Sequence, residues 1–314
     1  MKILVTGGCG YKGHVLIPKL LNKSYKVTAI DTQWFGNFLT PHENLSVKQI
    51  SVLNIDDFDF SQFDTVIHLA SIANDPCGDL NPKLTWEVSA LATMRIADKA
   101  ARSGVNHFIY ASSGSVYGIK DEEKVTEDLE LIPITEYNKT KMVSERVLRS
   151  YSKEMTVQIV RPATVCGLSP RMRLDVSVNM LTMQALENGK ITVFGGQQTR
   201  PNIHIDDITD LYLFLLERPD IQGTFNAGFE NISILDIAKM VSEKVQAELL
   251  VTESNDPRSY RLDSSKLINA GFSPSKSVAH AIDEICTAYK KGELKNEDHF
   301  YNLKWMEKNK FSEV

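Results

Sequence analysis

The sequence predicts an α/β fold: a doubly wound parallel sheet with a smaller mixed α/β domain attached. Three observations carry this. Between Ile3 and Val160, short apolar runs alternate with segments of helical spacing. The first run stops at a glycine cluster that opens the first helical segment. Beyond Gly167 the rhythm loosens. Strand–helix alternation with short turns means βαβ units and a parallel sheet covered on both faces.

Ile3-Leu4-Val5 reads as a buried strand ending at Thr6-Gly7-Gly8, followed by helical spacing through Val15, Leu16, Leu20 and Leu21. Val27-Thr28-Ala29-Ile30 is a second strand ending at Asp31, residues 47–55 a third, and Thr65-Val66-Ile67-His68-Leu69 a fourth. Residues 83–103 predict one amphipathic helix stopped by Gly104. His107-Phe108-Ile109-Tyr110 is a fifth strand, residues 136–151 a helix and Val157-Gln158-Ile159-Val160 a sixth strand. Helices over 175–188, near 206–217 and near 233–246, with a strand at 191–194, belong to the looser part. The tail after Lys290 is polar and charged and is expected to wrap the surface.

Composition excludes several classes. Of 314 residues, 42% are hydrophobic and 24% charged, which suits a large core and not a disordered chain. A net charge of −5 argues against general affinity for nucleic acid or an anionic membrane. No apolar run approaches the ~20 residues that span a bilayer. Cys9, Cys77, Cys166 and Cys286 are far apart and form no CxxC pair, so neither a disulfide framework nor a metal site is expected and the thiols suit a reducing cytoplasm.

Gly7-Gly8-Cys9-Gly10-Tyr11-Lys12-Gly13 sits between the first strand and the first helix. Gly7, Gly10 and Gly13 permit a tight turn and leave room for a pyrophosphate over the helix N-terminus, whose free N–H groups and dipole favour that anion. Asp31 ends the second strand, where a carboxylate accepts both ribose hydroxyls of an adenosine and repels a 2′-phosphate, so NAD is expected rather than NADP. Tyr137 and Lys141 are four apart and share a helix face. A tyrosine is a poor base at its usual pKa near ~10. A nearby ammonium and a cationic nicotinamide stabilise the phenolate, which then removes a hydroxyl proton while hydride leaves the same carbon.

These motifs together resemble the extended short-chain dehydrogenase/reductases, the NAD-dependent sugar-nucleotide epimerase and dehydratase family. The similarity runs through Thr6-Gly7-Gly8, Gly10 and Gly13, His68-Leu69-Ala70-Ser71, Ser112-Ser113-Gly114-Ser115-Val116-Tyr117-Gly118, Tyr137-Asn138-Lys139-Thr140-Lys141, Arg161-Pro162 to Gly167, and Arg200 to Asp207. It covers residues 1–290 in the family's order and implies a Rossmann sheet over 1–165, with sheet elements returning near 196–230. A nucleotide-sugar-binding domain over 166–195 and 231–290 and the tail 291–314 complete the expected organisation.

The resemblance implies a catalytic set of Ser113, Tyr137 and Lys141, with Ser115 as a second donor to the sugar. Tyr11, Lys12, Asn54, Ile55, Leu69, Ala70, Ser71 and Ser89 join Gly7, Gly10, Gly13 and Asp31 around the cofactor. Asn54 stands where the family usually has Asp, Ser89 where it has Asn, and Lys12 replaces an apolar residue. On the substrate side it implies Thr164, Asn179 for the diphosphate, and the phosphate-holding arginines Arg200 and Arg258. The stretch from Ala163 to Asp175 is similar to GDP-heptose C6 dehydrogenases, which implies that Arg171 and Arg173 line the sugar or diphosphate pocket. His204, Asp206 and Asp207 are expected to fix a loop and cap a helix.

Family dehydratases carry an Asp-Glu pair directly after the Ser or Thr, and decarboxylases a Glu two residues after it. Gly114 and Ser115 occupy those places here. Redox chemistry at one carbon therefore survives, and the expected function is 4-epimerisation of a UDP-hexose. The alternatives are a net dehydrogenase of an NDP-sugar such as a GDP-heptose and an NAD(H)-sensing regulatory protein on the same fold. Helices 83–103 and 136–151 lie where family members pair into a homodimer.

Overall fold

The computed structural model describes residues 1–253 and 259–311. Its frame is a seven-stranded, all-parallel sheet built from β1 (Lys2–Thr6), β2 (Lys26–Asp31), β3 (Leu45–Gln49), β4 (Thr65–His68), β5 (His107–Ala111), β6 (Thr156–Pro162) and, later in the chain, Gly223–Ala227. A three-stranded sheet combines β7 (Thr164–Cys166) with β9 (Thr199–His204) and Glu230–Ser233, and β8 (Lys190–Phe194) pairs with Glu248–Thr252. In chain order those last three strands are β10 (Gly223–Ala227), β11 (Glu230–Ser233) and β12 (Glu248–Thr252). The large sheet runs β10-β6-β5-β4-β1-β2-β3. The chain therefore runs outward from β1 through β2 to β3, crosses back to β4 on the other side of β1 and runs outward again, and the crevice over the carboxyl ends of β1 and β4 is where such sheets bind ligands.

Burial explains why these segments became strands. In β4 and β5 every residue is buried, as strands covered by helices on both faces must be. One apolar cluster on one face joins Val5, Leu16, Ile109, Val160 and Leu211. Another joins Leu4, Ile30, Ile96, Phe108 and Ile159 on the other. A third holds the smaller region together through Val178, Leu181, Ile191, Ile237 and Ile282.

Three expectations need correction. The third strand spans Leu45–Gln49, not 47–55, because Ser51 opens a turn closed by Asn54 N–H on its carbonyl (2.9 Å). The segment 83–103 is no single helix. Asn81 caps Pro82–Trp86, a π-turn follows over Glu87–Leu91, and the α-helix resumes over Ala92–Arg102. In that turn the Ser89 carbonyl accepts the hydroxyls of Thr93 (3.0 Å) and Ser144 (2.8 Å). The tail is not merely a wrap: it forms helix Asn302–Lys308 and buries Phe300, Asn302 and Met306. Among the described residues, no helix is long and apolar enough to cross a membrane.

Candidate active site

A cavity of about 620 Å³ opens over the carboxyl ends of the central strands. Its floor begins at the glycine turn. Gly7 adopts φ +70, and a Cβ there would lie 2.7 Å from the Ala70 nitrogen. A Cβ on Gly13 would lie 2.2 Å from the Gly8 carbonyl oxygen, so only glycine lets helix Gly13–Asn22 start against the strand. At the end of β2, Asp31 accepts the Cys9 N–H (3.0 Å) and the Gln33 N–H (2.7 Å), while burial raises its pKa above the usual range. Trp34, Phe35 and residues 50–54 line this end, with Asn302 and Met306 from the tail.

At the other end, Thr135 caps helix Glu136–Ser150, accepting from Asn138 N–H (3.3 Å) and donating its hydroxyl to Asp75 (2.8 Å). That cap fixes Tyr137 in the first turn and Lys141 one turn on. Ser113 follows β5, and its hydroxyl pairs with Ser115 (2.7 Å), which in turn donates to Asn138. Ser113 also lies close enough to Tyr137 to draw its pKa down. The Lys141 Nζ lies 5.8 Å from the Tyr137 ring centre and donates to the Ala111 carbonyl (2.8 Å). Burial dominates both groups: Tyr137 is pushed up to about 12, and Lys141 is held well below the ordinary lysine value.

Behind Ser113 stands a buried ion pair. Arg161 meets both oxygens of Glu145, at 2.9 and 2.6 Å, and donates to Tyr117 (2.6 Å). Ser112 donates to the same carboxylate at 2.6 Å. This network sets the turn that carries Ser113; Ser112, Tyr117 and Arg161 belonged to motifs noted from sequence, and Glu145, which joins them, did not.

The cavity gathers Gly7, Gly10, Tyr11, Lys12, Gly13, Asp31, Asn54, Leu69, Ala70, Ser71, Ser113, Ser115, Tyr137, Lys141, Thr164, Arg171 and Arg173. Four expected residues stand outside its lining. Ile55 is fully buried in the core beneath it. Ser89 supports the lining from behind, accepting the Ile72 N–H (3.2 Å) and pairing with the Ser71 hydroxyl (3.0 Å). Asn179 is fully buried and its amide is committed, accepting from Gly167 N–H (3.0 Å) and donating to Tyr11 (3.1 Å) and the Arg173 carbonyl (2.9 Å). Arg200 lies in β9. Arg258 falls outside the described residues.

Sequence reasoning missed Asn74 and Asp75, Trp34 and Phe35, and Asn302 and Met306 on the lining. Asn74 carried the clearest structural oddity, a φ of +79 with ψ 163, a region that only glycine visits freely. Its side chain caps Cys77 (3.0 Å) and donates to Asp175 (3.2 Å), which Arg173 grips with two bonds at 2.7 and 3.0 Å.

The fold is a doubly wound sheet with a glycine turn after β1, a buried aspartate at the end of β2 and a Ser–Tyr–Lys cluster after β5. The chain belongs to the NAD dependent epimerase/dehydratase family, whose model matches residues 3–228. It is 31% identical over 264 residues to the uncharacterized UDP-glucose epimerase YtcB of Bacillus subtilis, covering 77% of this chain and 82% of that one. Among solved structures, UDP-glucuronic acid 4-epimerase from Bacillus cereus, in complex with UDP-glucuronic acid and NAD, matches with a TM-score of 0.79 at 29% identity. That match covers 93% of this chain and 99% of the other. UDP-glucose 4-epimerase of Thermotoga maritima shares the fold with a TM-score of 0.85 at 23% identity, over 94% and 100%. NAD is the cofactor. The glycine cradle and the buried Arg171 Nε on the cavity lining, without a partner among the described residues, fit a dinucleotide with its dianionic pyrophosphate.

Proposed function

We propose that this enzyme epimerises a UDP-hexose at C4 through a transient 4-keto sugar. The observation that carries the reading is the Ser113–Tyr137–Lys141 cluster with no carboxylate at the two positions after Ser113. A Cβ on Gly114 would lie 2.8 Å from Leu262 and 3.1 Å from the Pro162 carbonyl, so a larger residue there would have to displace its neighbours. Elimination of water or loss of carbon dioxide lacks its extra acid and base.

NAD, when bound, accepts a hydride from the sugar carbon and returns it. The chain's own residues handle the proton. Tyr137 takes it from the 4-hydroxyl as phenolate and gives it back to the keto oxygen. Ser113, beside Tyr137, holds that oxygen, with Ser115 as its hydrogen-bond partner. Burial keeps Tyr137 protonated near neutral pH and also disfavours the charged form of Lys141, so activation would rely on the positive charges of Arg173 and the bound nicotinamide, with Lys141 adding to them when protonated. Gly7, Gly10, Tyr11, Lys12, Gly13, Asp31, Asn54, Leu69, Ala70 and Ser71 hold the dinucleotide, and Thr164 and Arg173 face the substrate side. A cofactor regenerated in each cycle favours one that rarely leaves.

The same reading places the enzyme in the cytoplasm as a homodimer. Trp86, Leu91 and Met94 remain 36, 48 and 42% exposed along residues 82–102, an apolar face suited to a second copy. Light scattering is expected to give a dimer and Leu91→Glu a monomer. The catalytic reading is tested by proton NMR of UDP- and GDP-sugars with purified enzyme and no added NAD. A UDP-sugar epimer is expected. Turnover that requires added NAD and accumulates NADH would replace the epimerase with the net dehydrogenase.

A further inference from the structure

Arg171 is buried yet incompletely paired. It is 2% exposed, with Nη2 donating to the Asn302 side chain (2.6 Å) and Nη1 to the Met172 carbonyl (3.2 Å). Its guanidinium lies over the Phe35 ring, 4.2 Å from the centre, which fixes the plane of the fork. The Nε–H has no acceptor among the described residues, although Arg171 lines the cavity. A buried N–H left unmade is costly, and more so on a charged group. The nearby Asp175 does not answer it, being held by Arg173, by Asn74 and by the Asn302 N–H (3.3 Å). Burial and the repulsion of Arg173 pull the Arg171 pKa down to about 9. This is a cation short of an anion.

Position decides which anion. Asp31 feels the charge of Arg171, whereas Tyr137 feels that of Arg173. Phe35, beneath Arg171, is four residues past Asp31. Arg171 therefore stands nearer the Asp31 end of the cavity, and Arg173, two residues on, nearer Tyr137 and Lys12. A strap fastens the Arg171 end. Trp305 donates to the Trp34 carbonyl (2.7 Å), Phe311 stacks on Trp34 (4.9 Å) and His299 on Phe38 (5.6 Å). On its other side, the strap's Phe300 carbonyl accepts the Leu174 N–H (2.9 Å). Residues 297–311 thus tie the loop after β2 to the segment that carries Arg171.

We propose that Arg171 is a cofactor-binding residue and not a substrate-diphosphate ligand: its Nε–H donates to the dinucleotide's pyrophosphate, and the strap 297–311 holds it there so that the cofactor is retained between turnovers. The inference rests on the NAD-dependent reading for the identity of the dinucleotide and on nothing about the sugar. Charge suits it, because the pyrophosphate is the anionic group of NAD and a guanidinium binds such oxygens strongly.

The test loads purified wild-type, Arg171→Met, Arg171→Lys and Asn302→Ala enzymes with NAD and challenges them with isotopically labelled NAD. Exchange is followed by mass spectrometry, and UDP affinity is measured by calorimetry on the same preparations. Arg171→Met is expected to exchange ~10–100-fold faster, the loss of one or two charged hydrogen bonds, with UDP affinity unchanged. Arg171→Lys keeps the charge but lacks the fork. It is expected to melt with the wild type and still exchange faster, which guards against a folding defect in the Met variant. Asn302→Ala is expected to accelerate exchange by a smaller factor. Unchanged exchange in Arg171→Lys, or a fall in UDP affinity equal to or larger than the effect on NAD, would overturn the proposal. No sugar is turned over in this assay, so an enzyme that fails to epimerise would sink the function reading and leave this one standing.

Discussion

Lys12 gives the binding site a measurable pH signature. It sits in the glycine turn with its Nζ 3.4 Å from the Tyr212 hydroxyl and no carboxylate pairing with it among the described residues. Burial, followed by the charge of Arg173, lowers its pKa to about 8. A pyrophosphate beside it restores the charged form. At pH 8.5 roughly three-quarters of Lys12 is neutral before binding, so NAD binding takes up ~0.7 proton there and almost none at pH 6.5. NAD affinity then falls ~10-fold between pH 7 and pH 9. The sign for stability is opposite. The unfolded chain keeps the Lys12 proton until above the usual lysine value of ~10.4, so the NAD-free fold gains stability as pH rises from about 8 towards that value. Titration calorimetry in two buffers of different ionisation enthalpy counts the protons. Lys12→Met is the control, because Lys141 also titrates in this cavity. Equal proton uptake by wild type and Lys12→Met would refute the reasoning.

Tyr137→Phe is expected to cut kcat by at least ~100-fold while the purified protein keeps its NAD, as activity and bound-cofactor assays would show. In NAD-free enzyme the Tyr137 phenol is expected to titrate near 12 and to move down when NAD is added, read as the ultraviolet difference between wild type and Tyr137→Phe. Gly13→Ala places a methyl 2.2 Å from the Gly8 carbonyl oxygen, so NAD occupancy and melting temperature should both drop. Glu145→Ala leaves the Arg161 guanidinium, 1% exposed, without its charge partner; denaturant titration is expected to show a loss of ~3–5 kcal/mol.

The frame was legible because parallel strands buried on both faces are apolar throughout and the glycine turn marks the passage from β1 to the first helix. Local chemistry likewise marked Asp31, Ser113, Tyr137 and Lys141, since strand ends and a four-residue helical spacing place side chains predictably. What escaped depends on long-range packing. The π-turn at Glu87–Leu91 arises because hydroxyls of Thr93 and Ser144 take the Ser89 carbonyl, which no periodicity encodes. Asn302 is a polar residue in a charged tail, and its value appears only when 131 residues of separation from Arg171 close to 2.6 Å. Arg171 and Arg173 read alike in sequence, yet one packs on Phe35 and the other on Asp175. Asn179 carried a family role into a position where every polar atom of its amide is already bonded inside the protein.

The proposed reaction removes and returns a hydride at one carbon within a single enzyme-bound cycle. A UDP-hexose carrying deuterium at C4, incubated with enzyme and no added NAD, tests it directly by NMR and mass spectrometry of the product. A C4 epimer that keeps its deuterium is expected, with no net change in nicotinamide absorbance. Loss of the deuterium to solvent, or its appearance in free NADH, would contradict it.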